Sequence, residues 1–209
     1  MKVIWQSQAI TNFGFHGIDI GLYGEDNIVF ANSIENCEDG FYLDGDRNFI
    51  SYNYVEFSDY PVYTTDGSSS NKIFLNIFST RKSDISLTPT EGTNFWNTSN
   101  EYEYSYKGKI YKSRLGNYWS FYSKRDSNQD GISDITIKFD KNWDYYPLME
   151  PISYEGELHL HHEINEVLNY EMVRKETSSS ESSESLGFEA ILAIGSLISI
   201  AYLVLRRRR

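Results

Sequence analysis

One cysteine, Cys37, stands in 209 residues, so no disulfide can form within the chain. It sits beside Asn36 with no histidine near it in sequence, and reads as a small packed residue rather than a nucleophile. Positive charge is also scarce. Nineteen lysines and arginines, four of them the terminal Arg206 to Arg209, face 30 aspartates and glutamates, for a net charge of −11. A surface of that sign repels phosphates, so nucleic acid is excluded as a partner. Also absent from the opening residues is a basic segment followed by an apolar run, so no signal peptide is visible there. Met1-Lys2-Val3-Ile4-Trp5-Gln6 leads straight into repeat spacing. The expectation is a chain that continues a longer one, or a first coil that stacks on another chain; the first is favoured.

What the chain has in quantity is aromatic residues, at 16% with 17 tyrosines, which suits a β-rich fold. It also has an internal repeat. Asn27-Ile28-Val29-Phe30-Ala31-Asn32-Ser33-Ile34 returns as Asn48-Phe49-Ile50-Ser51-Tyr52-Asn53-Tyr54-Val55, and again as Asn71-Lys72-Ile73-Phe74-Leu75-Asn76-Ile77-Phe78. A weaker copy, Gln8-Ala9-Ile10-Thr11-Asn12, precedes them. Each copy runs into a second short apolar piece: Gly17-Ile18-Asp19-Ile20, Gly40-Phe41-Tyr42-Leu43 and Pro61-Val62-Tyr63-Thr64. A period of about 20 to 25 with short alternating strands is a solenoid signature rather than a helical one. No single repeat can bury its apolar face, so the repeats stack at the usual interstrand spacing of about 4.8 Å. The reading places Ile34, Val55 and Ile77 in one inward ladder. It puts Asn32, Asn53 and Asn76 at the corners, where asparagine tolerates left-handed backbone and can bond amide to amide along the stack. An antiparallel sandwich with turn asparagines is the alternative.

Beyond Ser79 the period fades, with a further coil expected around Ile85-Ser86-Leu87. Asn97-Thr98-Ser99 has the N-glycosylation acceptor pattern, meaningful only outside the cell. Glu103 to Tyr111 reads as a hairpin turning at Lys107-Gly108. Then come Gly116-Asn117-Tyr118-Trp119-Ser120, an Asp-rich loop from Asp126 to Asp134, and Asp144-Tyr145-Tyr146-Pro147-Leu148.

The repeats resemble the right-handed parallel β-helix repeat of carbohydrate-binding and sugar-hydrolase-like proteins. With the segment from 94 to 151, the chain resembles archaeal surface proteins of the NosD-like family, described as periplasmic copper-binding. The resemblance implies an all-β fold, a right-handed parallel β-helix of about four coils with a C-terminal β cap. A copper site, implied by the family's description, would want several soft or imidazole ligands. The repeats offer only Cys37 and His16.

Read by its spacing, the Asp-rich loop is a hard-cation site. Alternate positions of a calcium loop fall on Asp126, Asn128, Asp130, Ile132 and Asp134, with Gly131 at the sharp turn. Side-chain oxygens come from the aspartates and Asn128, and Ile132 gives its carbonyl. Ile137 stands where a bidentate glutamate belongs, so Asp140 or another donor would complete the shell. The expected cofactor is structural calcium; a solvated acidic turn is the alternative. Trp119, Tyr118 and Tyr122 are expected to pack over the last coil rather than to form a sugar platform.

Residues 152–186 lose the β pattern, and His159, His161 and His162 are read as solvated groups in a charged connector. Thr177 to Ser185 is nearly pure Ser and Glu, an extended tether. Phe188 to Leu205 is apolar for a bilayer's thickness, and Arg206 to Arg209 would hold it on the cytoplasmic side as a transmembrane helix. Leu186-Gly187-Phe188-Glu189-Ala190, the apolar run and the terminal arginines together resemble the PGF-CTERM sorting signal. That resemblance implies membrane targeting and an archaeosortase that cleaves the segment. Leu186 replaces the motif's proline.

The domains expected are 1–93 coils, 94–151 cap, 152–186 connector and tether, and 187–209 anchor. The function expected is a membrane-anchored extracellular β-helix with a structural, adhesive or glycan-contacting role, its partners the membrane and surface glycans or envelope proteins. The competing class is a polysaccharide lyase or hydrolase. That would need carboxylates aligned across coils, for which Asp19, Asp44 and Asp66 are the candidates. A copper-site accessory role is the third reading. The first is preferred, with no catalytic residue assigned.

Overall fold

The computed structural model describes residues 4–6, 8–11, 14–80, 92–139, 141–153 and 156–162. Ile85-Ser86-Leu87, Asp140, the Ser/Glu tether and the apolar C-terminal segment lie outside these. The described residues are all-β, and among them no helix is long and apolar enough to cross a membrane.

The first coil holds β1 (Ile4–Gln6), β2 (Ala9–Thr11) and β3 (His16–Ile20). The second holds β4 (Ile28–Phe30), β5 (Ser33–Glu35) and β6 (Asp39–Leu43), and the third β7 (Phe49–Ser51), β8 (Tyr54–Ser58) and β9 (Tyr60–Thr64). A fourth begins with β10 (Lys72–Phe74) and β11 (Ile77–Thr80). Each strand pairs in parallel with its counterpart in the next coil, giving sheets β1-β4-β7-β10, β2-β5-β8-β11 and β3-β6-β9. Sequential strands thus lie in different sheets, the arrangement expected of a parallel β-helix.

The register follows the asparagines. Val29, Ile50 and Ile73 stack in the first sheet, Ile18, Phe41 and Val62 in the third, all buried. In the second sheet Ile10 pairs with Ile34, Ile34 with Val55, and Val55 with Phe78. Ile77 does not join this ladder; it pairs with Tyr54 and is half-buried. The aliphatic match at Ile77 is out of phase by one residue, which in a strand means the opposite face. Phe78, two residues after Asn76 as Ile34 is after Asn32, takes the inward place.

The corner chemistry differs from expectation in one respect. The left-handed residues are Ala31, Tyr52 and Leu75, at φ of 54°, 57° and 57°, each standing just before an asparagine. Asp26, Arg47 and Ser70 do the same before Asn27, Asn48 and Asn71, at 58°, 57° and 59°. A non-glycine residue in that region costs roughly 1–2 kcal/mol. The asparagine's part is to bridge the corner with its side chain.

Those side chains form two buried columns. Asn32 donates through its backbone N–H and its Nδ2 to Asn53 Oδ1, at 2.9 and 2.9 Å. Asn53 does so to Asn76 at 3.0 and 3.0 Å, and Asn76 to Asn117 at 3.1 and 3.0 Å. In parallel, Asn27 donates to Asn48, Asn48 to Asn71 and Asn71 to Asn94 in the same paired manner. Asn94 N–H then reaches Asn142 Oδ1 at 2.6 Å. The amide-to-amide stacking expected for Asn32, Asn53 and Asn76 is therefore present, and a second column accompanies it.

The remainder is laid onto the coils. β12 (Tyr102–Tyr106) and β13 (Lys109–Ser113) form the expected hairpin. β14 (Tyr118–Trp119) returns to extend the second sheet beside β11, with Trp119 on Phe78. β15 (Ile137–Phe139) and β16 (Asn142–Asp144) pair antiparallel. β17 (Leu158–Leu160), in the stretch read as a connector, adds antiparallel to β12. Three residues are too few to show a period; Leu158 belongs there because it is fully buried in the second core cluster. In that cluster the outer face of the first sheet, Phe30, Phe49 and Phe74, packs with Tyr102, Tyr104, Tyr106 and Leu148.

Candidate functional site

The Asp-rich loop leaves the coil stack after β14 and folds back on itself. Asp126 accepts the N–H groups of Asp130 at 3.1 Å and Gly131 at 2.9 Å, closing a ring of six residues around one carboxylate. Asn128 Nδ2 donates to Asp130 Oδ2 at 2.8 Å, and Asp130 Oδ1 accepts Ile132 N–H at 2.8 Å. Gly131 has φ of +87°, and a Cβ on it would meet the Tyr106 ring at 2.7 Å. Only glycine fits that combination of dihedral and contact. Ile132 is buried and bridges to Leu148, so one side of the loop is anchored to the second core cluster.

Of the five residues expected to bind a cation, Asp126, Asn128 and Asp130 are drawn together by these hydrogen bonds, and Ile132 is held beside them. Asp134 turns to the other side of the loop, accepting Ser127 N–H at 3.0 Å and the Ser127 hydroxyl at 2.6 Å, with Arg125 Nε at 3.4 Å. Those hydroxyl and backbone bonds hold its carboxyl below the usual aspartate range. Ile137 is buried in the first core cluster and offers no oxygen from its side chain. Among the described residues no group of three or more His, Cys, Asp and Glu is gathered tightly enough to hold a metal.

Two groups near the loop are electrostatically unusual. The Tyr104 hydroxyl is buried with no hydrogen-bond partner among the described residues. Burial pushes its phenol up, and the negative charges of Asp130 and Asp126 push further. Lys124, on the other flank, lies over the Tyr118 ring at 3.5 Å and donates to the Met149 carbonyl at 3.0 Å. Burial pulls it down to about 8.

The aromatic box is core. Trp119 is fully buried, 4.5 Å from Phe78 and 5.9 Å from Trp96 by ring centroid. Tyr122 donates its hydroxyl to the Thr136 carbonyl. On the third sheet His16, Tyr42 and Tyr63 stack in turn, at 4.5 and 5.4 Å. The Tyr42 and Tyr63 rings lie 10° from parallel, and His16 tilts 30° against Tyr42, so the ring faces between neighbouring coils are taken up by one another.

The candidate catalytic carboxylates do not line up. Asp19 lies within β3 opposite Tyr42. Asp44 is one residue past β6 and accepts the Thr65 hydroxyl, and Asp66 is exposed in the following turn. Two of the histidines stack, His159 on His161, whose Nε2 contacts the Ser105 hydroxyl, while His162 meets the Tyr102 ring edge-on.

Sequence reasoning missed Asp144. It is fully buried between Asn117 N–H at 2.9 Å and Trp119 Nε1 at 2.9 Å on Oδ2, and Tyr146 N–H at 3.1 Å on Oδ1. Burial outweighs those bonds and pushes its carboxyl up to about 6. Gly116 lies against it so closely that any Cβ would overlap the carboxylate. No local spacing points to it: Asp144 lies 27 residues from Asn117, and its role comes from that contact.

Two family models match the chain. One, described as periplasmic copper-binding protein (NosD), covers residues 3–124. The other, the PGF-CTERM motif, covers residues 185–207. No curated protein and no solved structure matches. The residues described do not fit copper. Cys37 is buried in the apolar core with its thiol toward the Glu35 carbonyl, and His16 Nδ1 is 2.7 Å from Asp39. A copper centre needs several such ligands converging on one point.

Proposed function

The chain belongs to the family described as periplasmic copper-binding protein (NosD), and from that premise we propose a rigid display module held outside the cell by its C-terminus. A NosD domain followed by a PGF-CTERM motif is a surface-anchored protein, and that motif implies membrane anchoring and archaeosortase processing. A right-handed coil stack stands on a Ser/Glu tether above a transmembrane segment, and serves as a structural, adhesive or glycan-contacting element rather than an enzyme.

The observation that carries this reading is where the polar side chains are spent. The buried asparagines of both columns bond to one another, and on the third sheet His16, Tyr42 and Tyr63 pack ring against ring from coil to coil. The chemistry of the repeats is directed into the stack, as suits a spacer that must hold its shape. Asp19, Asp44 and Asp66 meanwhile offer no shared site.

Calcium at the Asp126 to Asp134 loop is part of the same proposal. Its support is the convergence of Asp126, Asn128 and Asp130 around Gly131, and a buried Tyr104 hydroxyl in their negative field. Hard oxygen donors suit calcium, and a cation there would cancel the repulsion among the carboxylates. Asp126, Asn128, Asp130 and the Ile132 carbonyl would hold it, with Asp134 through water.

Protease shaving of intact cells tests the placement. Peptides from residues 14–162 released from whole cells, with a membrane-retained C-terminal remnant or a lipid-bearing C-terminus, are the expected result. Full-length protein in the cytosolic fraction would overturn it.

A further inference from the structure

The sequence Phe95-Trp96-Asn97-Thr98-Ser99 carries an acceptor pattern that neither the coil stack nor the Asp-rich loop uses. In the structure it borders a cavity of about 190 Å³ at the coil end, lined in part by Phe95, Asn97, Lys141, Trp143 and Tyr145. That is smaller than the roughly 300–1,000 Å³ of drug-sized pockets and suits a single ring. Its walls are aromatic and outward-facing. Phe95 is 52% and Tyr145 54% exposed, and the Trp143 and Tyr145 rings lie 13° from parallel at 5.8 Å. Lys138 covers Trp143 at 5.3 Å, so the open ring surfaces at the rim belong to Tyr145 and Phe95. Among the described residues no carboxylate lines the cavity, and Lys141 is the one charged residue there.

Large exposed aromatics at a concave site are unusual on a surface unless something covers them. A pyranose ring has the chemistry to do so: its C–H face packs on an aromatic ring while its hydroxyls meet amides and ammonium groups. Asn97 is placed to bring one. It is half-buried at the rim, and its Nδ2 donates to the Thr98 carbonyl at 2.9 Å. A glycosylated asparagine keeps one N–H, enough to retain such a bond.

We propose that Asn97 carries an N-linked glycan whose first pyranose ring packs in this cavity against Phe95 and Tyr145. The inference rests on the proposed extracellular placement, and names a modification and its seat. In the transfer, Asn97 Nδ2 bonds the anomeric carbon of a lipid-pyrophosphate-linked oligosaccharide. The anomeric carbon–oxygen bond to phosphate breaks, lipid pyrophosphate leaves with the electron pair, and one amide proton passes to a base of the transferase.

The test starts with protein purified from the cells that make it, digested and read by mass spectrometry. The peptide containing Asn97 is expected to carry sugar mass, and the same peptide from an Asn97→Gln chain none. A second arm compares melting of the glycosylated chain with that of the same sequence made in a cytoplasm that does not glycosylate. The glycosylated form should melt about 2–4 °C higher, the shift of about one ring contact in a chain this size. In a Phe95→Ala, Tyr145→Ala double variant that increment should vanish. A bare Asn97 on protein released by shaving overturns the modification and leaves the surface placement standing. Cytosolic protein with a bare Asn97 overturns both. A glycan whose increment survives the double variant overturns the seat.

Discussion

Asp144 closes the column of asparagines that runs through Asn117: its Oδ2 takes the Asn117 N–H at 2.9 Å, the place that an asparagine Oδ1 fills in every coil before it. The change of residue at the end has a physical reason. A ladder asparagine accepts from one neighbour and donates its Nδ2 to the next. At Asp144 the second oxygen faces a donor, Tyr146 N–H, where a ladder asparagine faces an acceptor. A carboxylate accepts on both sides, so aspartate fits where asparagine would point one N–H at another.

At pH 4 Asp144→Asn should therefore destabilise the protein, by about 1–3 kcal/mol for the Tyr146 N–H left without an acceptor. Its pH dependence is distinctive. A carboxyl raised from 3.8 to about 6 stabilises the fold fully below pH 3.8, and that contribution is lost as pH rises to 6. The variant has no such group, so its deficit against the parent should shrink between pH 4 and pH 7. Denaturant melts at both values check this; a deficit that grows with pH would contradict it.

Within the column the demand is reversed. Asn53 Nδ2 donates to Asn76 Oδ1, the Val29 carbonyl and the Ser51 carbonyl, while its Oδ1 accepts twice from Asn32. Asn53→Asp would set a buried negative charge against three acceptors and should cost several kcal/mol. Circular dichroism melts should show Asn53→Asp far less stable than Asn53→Gln or unable to fold. Parity with the parent would mean that the column is not buried.

The coils were legible because stacking forces equivalent residues to repeat at fixed spacing, and Asn32, Asn53 and Asn76 recur 21 and 23 residues apart. The columns' continuation was not, since Asn117 follows Asn76 by 41 residues and Asn142 follows Asn94 by 48. An excursion of that length hides a period. At the site, Asp126, Asn128 and Asp130 could be read from local spacing. Asp144, Gly116 and Tyr104 could not, because each acquires its role from a strand distant in sequence.

The corrected register makes a paired prediction. Phe78 is fully buried on Val55 and Trp119, whereas Ile77 is half-buried opposite Tyr54 and Tyr118. Phe78→Ala should cost about 3–5 kcal/mol, and Ile77→Ala clearly less. Equal losses in urea unfolding would put both on the same face, which a strand does not allow.

The loop gives the last prediction. Asp126 and Asp130 are held together by backbone N–H groups and the Asn128 amide, and their charges already bear on the buried Tyr104. A divalent ion bound there only by the folded chain raises stability by an amount that grows with its concentration, about 2.7 kcal/mol at a hundredfold excess over Kd. For a chain of this size that is a rise of roughly 5–10 °C. Millimolar calcium should therefore raise the melting temperature over that in chelator, with magnesium less effective because it releases its waters reluctantly. Asp130→Ala removes one carboxylate and the Ile132 N–H acceptor, so it should lower the chelator value a little and abolish the calcium increment. Asp134→Ala, whose carboxylate is engaged by Ser127 and Arg125, should keep most of the increment. If the parent melts identically with calcium and with chelator, the loop is an acidic turn stabilised by its own backbone.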